Sequence, residues 1–210
     1  MKYNKLQDIF EELEGHGKVV FTLNDASKMM NKPKSYTSKL LSSNKRVSRI
    51  ERGKYFINTG KGIDLYEIAS QIVFPSYVSL FAAFQYHMIT DQIVTTFSVI
   101  SLKRHRPITF GDNKIEFRNV QKDKFFGYTR EKNIYIATIE KAIVDSLYLN
   151  LPSFSYVKES FSTAIGRQII NIEKLVEFTN RMNSGIVTKK MNILLSKENI
   201  RVSKSGVEKR

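Results

Sequence analysis

Two short helical patterns joined by a tight turn, with a basic hairpin directly behind them, occupy residues 22–57. The first pattern covers residues 25–30 and the second covers residues 35–42, with only four residues between them. The hairpin pattern covers residues 47–57. This order of elements predicts a winged helix-turn-helix, a unit that places its second helix in the major groove of DNA.

Three residues predict where the two helices begin and where the hairpin turns. Asn24 is placed to cap a helix that begins at Asp25, and Asp25 then lies favourably in the first turn. Pro33 suits the first position of the next helix, where its missing N–H costs nothing. Gly53 lies at the expected hairpin tip, where a positive φ is often required.

The second helical pattern has two different faces. Spacing of i, i+3, i+4 and i+7 puts small, polar and basic side chains on one face, namely Ser35, Ser38, Lys39 and Ser42. The other face carries Tyr36, Leu40 and Leu41, which we expect to pack on the domain. A face of small polar residues with a lysine can approach base edges and phosphates closely.

Positive charge is concentrated on this part of the chain. Residues 28–54 hold nine Lys or Arg residues and one acid, Glu51. We predict a DNA surface of ten residues, called the predicted DNA surface below: Lys34, Ser35, Ser38, Lys39, Ser42, Lys45, Arg46, Arg49, Arg52 and Lys54. Its first five members are expected in the major groove, the next two on phosphate at the helix end, and the last three on the wing. The alternative is a solvated basic face on an ordinary helical hairpin.

The whole chain is basic and contains no cysteine. Its 210 residues carry a formal net charge of +14 with a pI near 9.8, which favours a polyanionic partner, either nucleic acid or an anionic membrane surface. The lack of cysteine excludes disulfides, thiolate zinc sites and a cysteine nucleophile. No signal peptide is visible, and Pro75, Gln85 and His87 interrupt the most apolar stretch, residues 68–89. We therefore expect a cytoplasmic protein without a membrane partner.

Composition changes near residue 60. Residues 59–62 read TGKG, a short glycine-rich run of the kind that links domains. We predict an α+β fold class, with a winged helix-turn-helix domain in residues 1–60 and a larger mixed α/β C-terminal domain in residues 61–210. The C-terminal domain is expected to contain a small sheet and several helices, and to end in a frayed basic tail from Lys197.

Periodicity outlines the elements of the C-terminal domain. Helices are predicted at residues 64–73, 77–87, 138–148, 154–164, 172–182 and 186–196. Strands are predicted at residues 93–101, 108–110, 114–120 and 134–137. Ser76 and Thr138 are the expected caps of the second and third of these helices.

Motifs of catalysis and cofactor binding are missing from the sequence. It contains no phosphate loop, dinucleotide fingerprint, serine elbow or HExxH run. The three histidines, His16, His87 and His105, are far apart along the chain. We therefore predict no catalytic residue, no metal and no cofactor, and do not expect an enzyme. The basic corner KRHR at residues 103–106 is either a second nucleic-acid contact or a solvated strand end.

Three runs in the same order resemble the AbiEi-type antitoxin family of type IV abortive-infection toxin–antitoxin systems. Residues 49–55, RIERGKY, resemble that family's R-x-x-R-G-x-Y wing. Residues 76–89, SYVSLFAAFQYHMI, and residues 136–149, IATIEKAIVDSLYL, resemble two further family segments. The resemblance covers roughly residues 1–195. The chain departs from it at Met88, where the family has glycine.

This resemblance implies a function that the residues alone do not. It implies a winged-helix autorepressor that binds inverted repeats in the operator of its own operon. It also implies a C-terminal domain that counteracts a nucleotidyltransferase toxin, without requiring a stable complex, in defence against phage. The alternatives are a winged-helix transcription factor whose second domain binds a ligand or dimerises, and an enzyme that the winged domain delivers to nucleic acid.

Overall fold

The computed structural model describes residues 6–58, 60, 64–203 and 206–209. Residues 6–58 are called the N-terminal unit below, and the described residues from 64 onward are called the C-terminal unit. The elements of the N-terminal unit are α1 (Leu6–Gly15), β1 (Val20–Thr22), α2 (Leu23–Met30), α3 (Lys34–Ser43), β2 (Val47–Glu51) and β3 (Lys54–Ile57). Of the predicted linker at residues 59–62, only Gly60 lies among the described residues.

The N-terminal unit is a small antiparallel sheet with three helices packed on it. The strand order is β1-β3-β2, so the last strand of the hairpin lies in the middle. Its apolar core comes from α1, α2, α3 and the sheet: Ile9, Phe10, Leu13, Phe21, Ala26, Met30, Leu41, Tyr55 and Ile57 are buried. Gly53 has a φ of 77° at the hairpin tip, as predicted.

The start of α2 differs from the prediction. Thr22 is the N-cap, and α2 begins at Leu23 rather than Asp25. Thr22 and Asp25 form a capping box, in which the Thr22 hydroxyl accepts the Asp25 N–H at 3.1 Å and the Asp25 carboxylate accepts the Thr22 N–H at 3.1 Å. Because this reciprocal pair satisfies two backbone donors, it fixes the first turn and leaves Asn24 outside the cap.

The C-terminal unit is a mixed sheet covered by helices. Its strands are β4 (Ser76–Val78), β5 (Thr96–Ser101), β6 (Ile108–Phe110), β7 (Asn113–Asn119), β8 (Tyr128–Glu131) and β9 (Ile134–Ala137), in the order β6-β7-β5-β4-β9-β8. Its helices are α4 (Leu65–Gln71), α5 (Leu80–Tyr86), α6 (Ile139–Leu149), α7 (Phe154–Gly166), α8 (Ile172–Arg181) and α9 (Gly185–Lys197). The described chain is thus a mixture of helices and sheets, with a smaller and a larger sheet, in agreement with the α+β prediction.

Helix α6 is the centre of this unit. It contacts α5, α7, α8 and α9, and its residues from Glu140 to Leu147 are buried. Thr138 caps it as predicted, with its hydroxyl accepting the Lys141 N–H at 3.4 Å. A helix surrounded on several sides can bury polar residues only where they find partners inside the protein.

The region after Pro75 differs from the prediction. Residues 76–78 form strand β4 in the interior of the sheet, and the helix predicted from residue 77 begins at Leu80 after Ser79. All three strand residues are buried, so burial does not alternate along the strand. The three residues therefore carry no period-2 pattern that would distinguish a strand from a helix.

The end of the chain also differs from the prediction of a frayed tail. Strands β10 (Ile200–Ser203) and β11 (Gly206–Lys209) pair as a two-stranded antiparallel sheet after α9. None of the helices among the described residues is long and apolar enough to cross a membrane.

An apolar cluster and the side chain of Gln71 both join the two units. Val19 and Phe56 lie in the same buried cluster as the C-terminal core. The Gln71 side chain accepts the N–H groups of Val19 at 2.9 Å and Val20 at 3.3 Å, and donates to the carbonyl groups of Gly17 at 3.0 Å and Asn133 at 2.9 Å. These contacts hold the start of β1 against α4 and the turn between β8 and β9.

Candidate nucleic-acid interface

Helix α3 presents the small polar face that its spacing predicted. Ser35, Lys39 and Ser42 are exposed and Ser38 is half-buried, while Leu41 is buried on the opposite side. The buried face differs in two positions from the prediction, because Thr37 is fully buried and Tyr36 is 49 % exposed. Thr37 can be buried since its hydroxyl donates to the Pro33 carbonyl at 3.1 Å.

An open groove of about 620 Å³ runs between the start of α2, helix α3 and the hairpin tip. Four members of the predicted DNA surface line it: Lys34, Ser38, Arg49 and Arg52. Asn24, predicted from the sequence to be a helix cap, lines the groove too. The groove therefore brings together one side of α3 and the arginines of the hairpin.

The two arginines of the hairpin are exposed to solvent. Arg49 and Arg52 are exposed, and the pairing of β2 with β3 shifts register between Arg49 and Glu51. A shift of this kind bends a strand and redirects its side chains. The Arg49 Nε donates to the Glu51 carbonyl at 3.2 Å, which fixes the side chain close to the tip.

Two members of the predicted DNA surface have partners within the protein. Arg46 donates to Glu14 at 2.8 Å and to Gln7 at 2.7 Å on α1, and its guanidinium lies 5.5 Å from the Phe10 ring centre. Lys54 Nζ lies 3.0 Å from the Glu51 carboxylate. The structure thus gives both cations contacts that compete with the predicted role on phosphate. Lys45 remains exposed at the end of α3.

The basic corner at residues 103–106 lies against the hairpin. His105 Nε2 is 3.0 Å from Glu51 Oε1, and Arg106 Nη2 is 3.6 Å from Glu51 Oε2. Burial by itself raises the pKa of Glu51, but Lys54 and His105 outweigh it and lower that pKa below 4.5. Lys103 and Arg104 are exposed beside this contact.

A buried polar cluster in the C-terminal unit was missed by sequence reasoning. Lys141 Nζ donates to Asp145 Oδ1, while the hydroxyl groups of Tyr77 and Ser79 donate to Asp145 Oδ2 at 3.1 and 2.8 Å. All four side chains are essentially inaccessible to solvent. Burial raises the pKa of Asp145 and lowers the pKa of Lys141, against the attraction between the two charges.

The members of this cluster come from two of the runs that carry the family resemblance. Tyr77 and Ser79 belong to residues 76–89, and Lys141 and Asp145 belong to residues 136–149. Lys141 and Asp145 are one helical turn apart on α6, so their spacing of four was a readable signal. Their contact with Tyr77 depends on strand β4, where the sequence predicts a helix from residue 77.

The described residues hold no group of three or more His, Asp or Glu side chains that could bind a metal ion. His87 Nε2 lies 2.7 Å from the Ala137 carbonyl, so the ring has a partner within the protein. A comparison with protein-family models found no match for this chain, and a comparison with curated proteins found none either.

Proposed function

We propose that the chain is a regulator that binds double-stranded DNA through a winged helix-turn-helix in residues 1–60. The observation that supports this most directly is the groove in which the polar side of α3 and the arginines of the hairpin open on the same side. A recognition helix flanked by a basic wing reads base edges with the helix and holds phosphates with the wing.

Each residue of the surface has a role that follows from its chemistry. Ser35, Ser38 and Ser42 allow a close approach of α3 to base edges, and Lys39 contacts phosphate or a guanine. Arg49 and Arg52 hold phosphate from the hairpin. Lys34 begins α3 and Lys45 follows its C-cap, Asn44, so each adds charge near one end of the helix. Arg46 and Lys54 contact Glu14 and Glu51 within the protein, so no role on DNA is proposed for them.

The proposal is tested by measuring the affinity for duplex DNA taken from upstream of the gene. Lys39→Ala and Arg52→Ala are each expected to weaken binding by about fivefold to a hundredfold, the range of one lost charged contact. Lys189→Ala is the control, because Lys189 is exposed on α9 and carries the same charge. Unchanged affinity in both test variants would reject the assigned surface.

The resemblance to AbiEi-type antitoxins supports a more specific proposal. In it, the chain represses its own operon at inverted repeats and neutralises a nucleotidyltransferase toxin through the C-terminal unit. The alternative is a winged-helix transcription factor whose second unit binds a ligand or dimerises, without a toxin. Growth of cells that express the adjacent gene, with and without this chain, separates the two. Rescue from a toxic nucleotidyltransferase supports the antitoxin, and a harmless or unrelated neighbour supports the alternative.

A further inference from the structure

Glu51 is a single acid enclosed by basic groups from both units. Its Oε1 lies 3.0 Å from Lys54 Nζ and 3.0 Å from His105 Nε2, and its Oε2 lies 3.6 Å from Arg106 Nη2. Only 12 % of its side chain is exposed. We call these four residues the hairpin clamp, because Glu51 and Lys54 belong to the hairpin while His105 and Arg106 belong to the C-terminal unit.

The C-terminal side of the clamp is itself held in place. The His105 Nδ1 lies 2.8 Å from the Arg106 carbonyl, and its ring centre lies 4.7 Å from that of Phe117 on β7. Close by, Phe56 of β3 packs edge-on against Phe110 of β6, with ring centres 5.4 Å apart. His105 therefore offers Glu51 a partner whose position the larger sheet determines.

The hairpin side of the clamp lies next to two arginines that line the groove. Glu51 lies between Arg49 and Arg52 in the chain, and its carbonyl accepts the Arg49 Nε–H at 3.2 Å. Arg49 and Arg52 both line the groove. A hairpin tip that lost the contact between Glu51 and His105 would carry both arginines with it as it moved.

We propose that Glu51 is a positioning residue, through which the C-terminal unit holds the hairpin in the orientation that binds DNA. The inference rests on the proposed function. Charge alone would make Glu51 weaken DNA binding, since a carboxylate beside a DNA surface repels phosphate. A positioning role predicts that Glu51 strengthens binding. Because the hairpin is ordered before DNA arrives, binding does not have to pay the conformational entropy of fixing it.

The sign of the effect of Glu51→Gln on DNA affinity tests the proposal. The clamp predicts binding about fivefold to tenfold weaker than wild type, although the variant is more positive by one charge. The slope of log K against log salt stays as in wild type, because the same phosphates are contacted once the hairpin is ordered. Asp112→Asn is the matched control, an equal change of charge at the exposed turn between β6 and β7, and leaves binding equal or slightly tighter. Tighter or unchanged binding by Glu51→Gln would overturn the proposal.

His105→Gln tests the same contact from the other unit and decides the question if Glu51→Gln does not fold. It is expected to weaken binding by a similar factor, and the double variant is expected to be no weaker than either single one, since both break one contact. A double variant whose losses add would overturn the proposal.

Hydrogen exchange without DNA separates failure of the clamp from failure of the proposed function. Amides of β2 and β3 are expected to exchange faster in Glu51→Gln and in His105→Gln than in wild type. Unchanged exchange in both would exclude the clamp even if the chain binds DNA. Faster exchange in a chain that binds no DNA would leave the clamp standing and reject the proposed function.

Discussion

At the scale of single residues, the buried pair of Lys141 and Asp145 is the most demanding feature of the C-terminal unit. Asp145 accepts from Lys141, Tyr77 and Ser79 inside a core without solvent. Removing one partner of a buried pair leaves the other charge uncompensated, which commonly costs about 3–5 kcal/mol. The runs that carry the family resemblance therefore have a structural role in this chain.

Asp145→Asn is expected to lower the free energy of unfolding by about 3–5 kcal/mol in urea denaturation. The double variant Lys141→Met with Asp145→Asn removes both charges and is expected to recover part of that loss. If the single variant stays within about 1 kcal/mol of wild type, the pair does not hold the core together.

Met88 occupies a backbone position that suits glycine. Its φ is 56°, and its side chain is 69 % exposed after the end of α5. The Met88 N–H donates to Gln85 and the Ile89 N–H donates to Phe84, both at 2.9 Å, which is the hydrogen-bond pattern of a Schellman ending. Glycine adopts this left-handed φ without strain, whereas methionine adopts it at a cost.

Met88→Gly is expected to raise the free energy of unfolding by up to about 1 kcal/mol, because glycine adopts this φ without strain. Met88→Val, which brings a branched side chain to the same φ, is expected to lower it. Denaturation curves of the two variants measure the difference, and equal stability would show that φ is not the limiting factor.

The lowered pKa of Glu140 predicts how the free energy of unfolding depends on pH. Burial alone raises its pKa, but the Asn171 N–H at 3.0 Å and the Lys174 ammonium at 3.4 Å contribute to lowering the pKa below 4.5 overall. A lowered carboxyl pKa gives stability that is present above 4.5 and is lost as pH falls through the folded-state value.

Glu140→Gln is therefore expected to be less stable than wild type at neutral pH. The difference between the two proteins should shrink as pH falls below 4.5, since wild-type Glu140 then becomes protonated too. Urea denaturation at several pH values measures this. A difference that stays constant down to the acid transition would contradict the assigned ionic role.

At the scale of elements, Gly127 lets the segment before β8 pack closely against α6 and α8. Gly127 has a φ of 73°, and a Cβ there would lie 2.8 Å from the Phe178 ring and 3.0 Å from the Lys141 side chain. Gly111 has a similar φ of 59° at the turn between β6 and β7, where a Cβ would meet nothing within 4 Å. The two glycines share a backbone conformation and differ in their packing.

Gly127→Ala is expected to lower the free energy of unfolding by about 2–4 kcal/mol, from backbone strain and overpacking together. Gly111→Ala carries the strain alone and is expected to cost about 1 kcal/mol. Thermal denaturation of both variants compares them. Equal losses would mean that the approach to Phe178 does not limit the packing of this segment.

Elements with a clear period or a local cap could be predicted from the sequence. Helix α6 follows from its 3.6-residue pattern and Thr138, and the polar face of α3 follows in the same way. Strand β4 could not be predicted, because three buried residues have no alternation. Strand β8 could not either, since its residues are mostly exposed at the edge of the sheet and lack an apolar pattern.

Only part of the candidate site could be predicted, because the sequence pattern reports on neighbouring residues and not on contacts between distant ones. Local spacing placed Lys39 and Ser42, but it could not show which cations find partners far along the chain. Arg46 bonds an acid 32 residues away, and Lys54 comes close to a histidine 51 residues away. Such contacts depend on how the whole chain folds.

At the scale of the whole molecule, Val19 and Phe56 of the N-terminal unit lie in the buried cluster of the C-terminal unit, and polar contacts join the two units at several places. Gln71 joins them at β1, and the hairpin clamp joins them at β2 and β3. Contacts of this kind couple the unfolding of neighbouring units.

The described chain is therefore expected to unfold in a single cooperative transition, with equal calorimetric and van't Hoff enthalpies. Gln71→Leu removes the hydrogen bonds of the Gln71 side chain and is expected to lower the Tm. Two separate transitions in the wild-type protein would contradict this coupling of the two units.

The most direct test of DNA binding by α3 and the hairpin is the salt dependence of affinity for operator duplex. Five cations of the predicted DNA surface are exposed: Lys34, Lys39, Lys45, Arg49 and Arg52. Neutralising that many phosphates predicts a slope of log K against log salt of about −4 to −5 for each bound copy, and Arg52→Ala is expected to reduce its magnitude by about 1. A slope near zero, or one that Arg52→Ala leaves unchanged, would contradict the assignment of this surface to DNA.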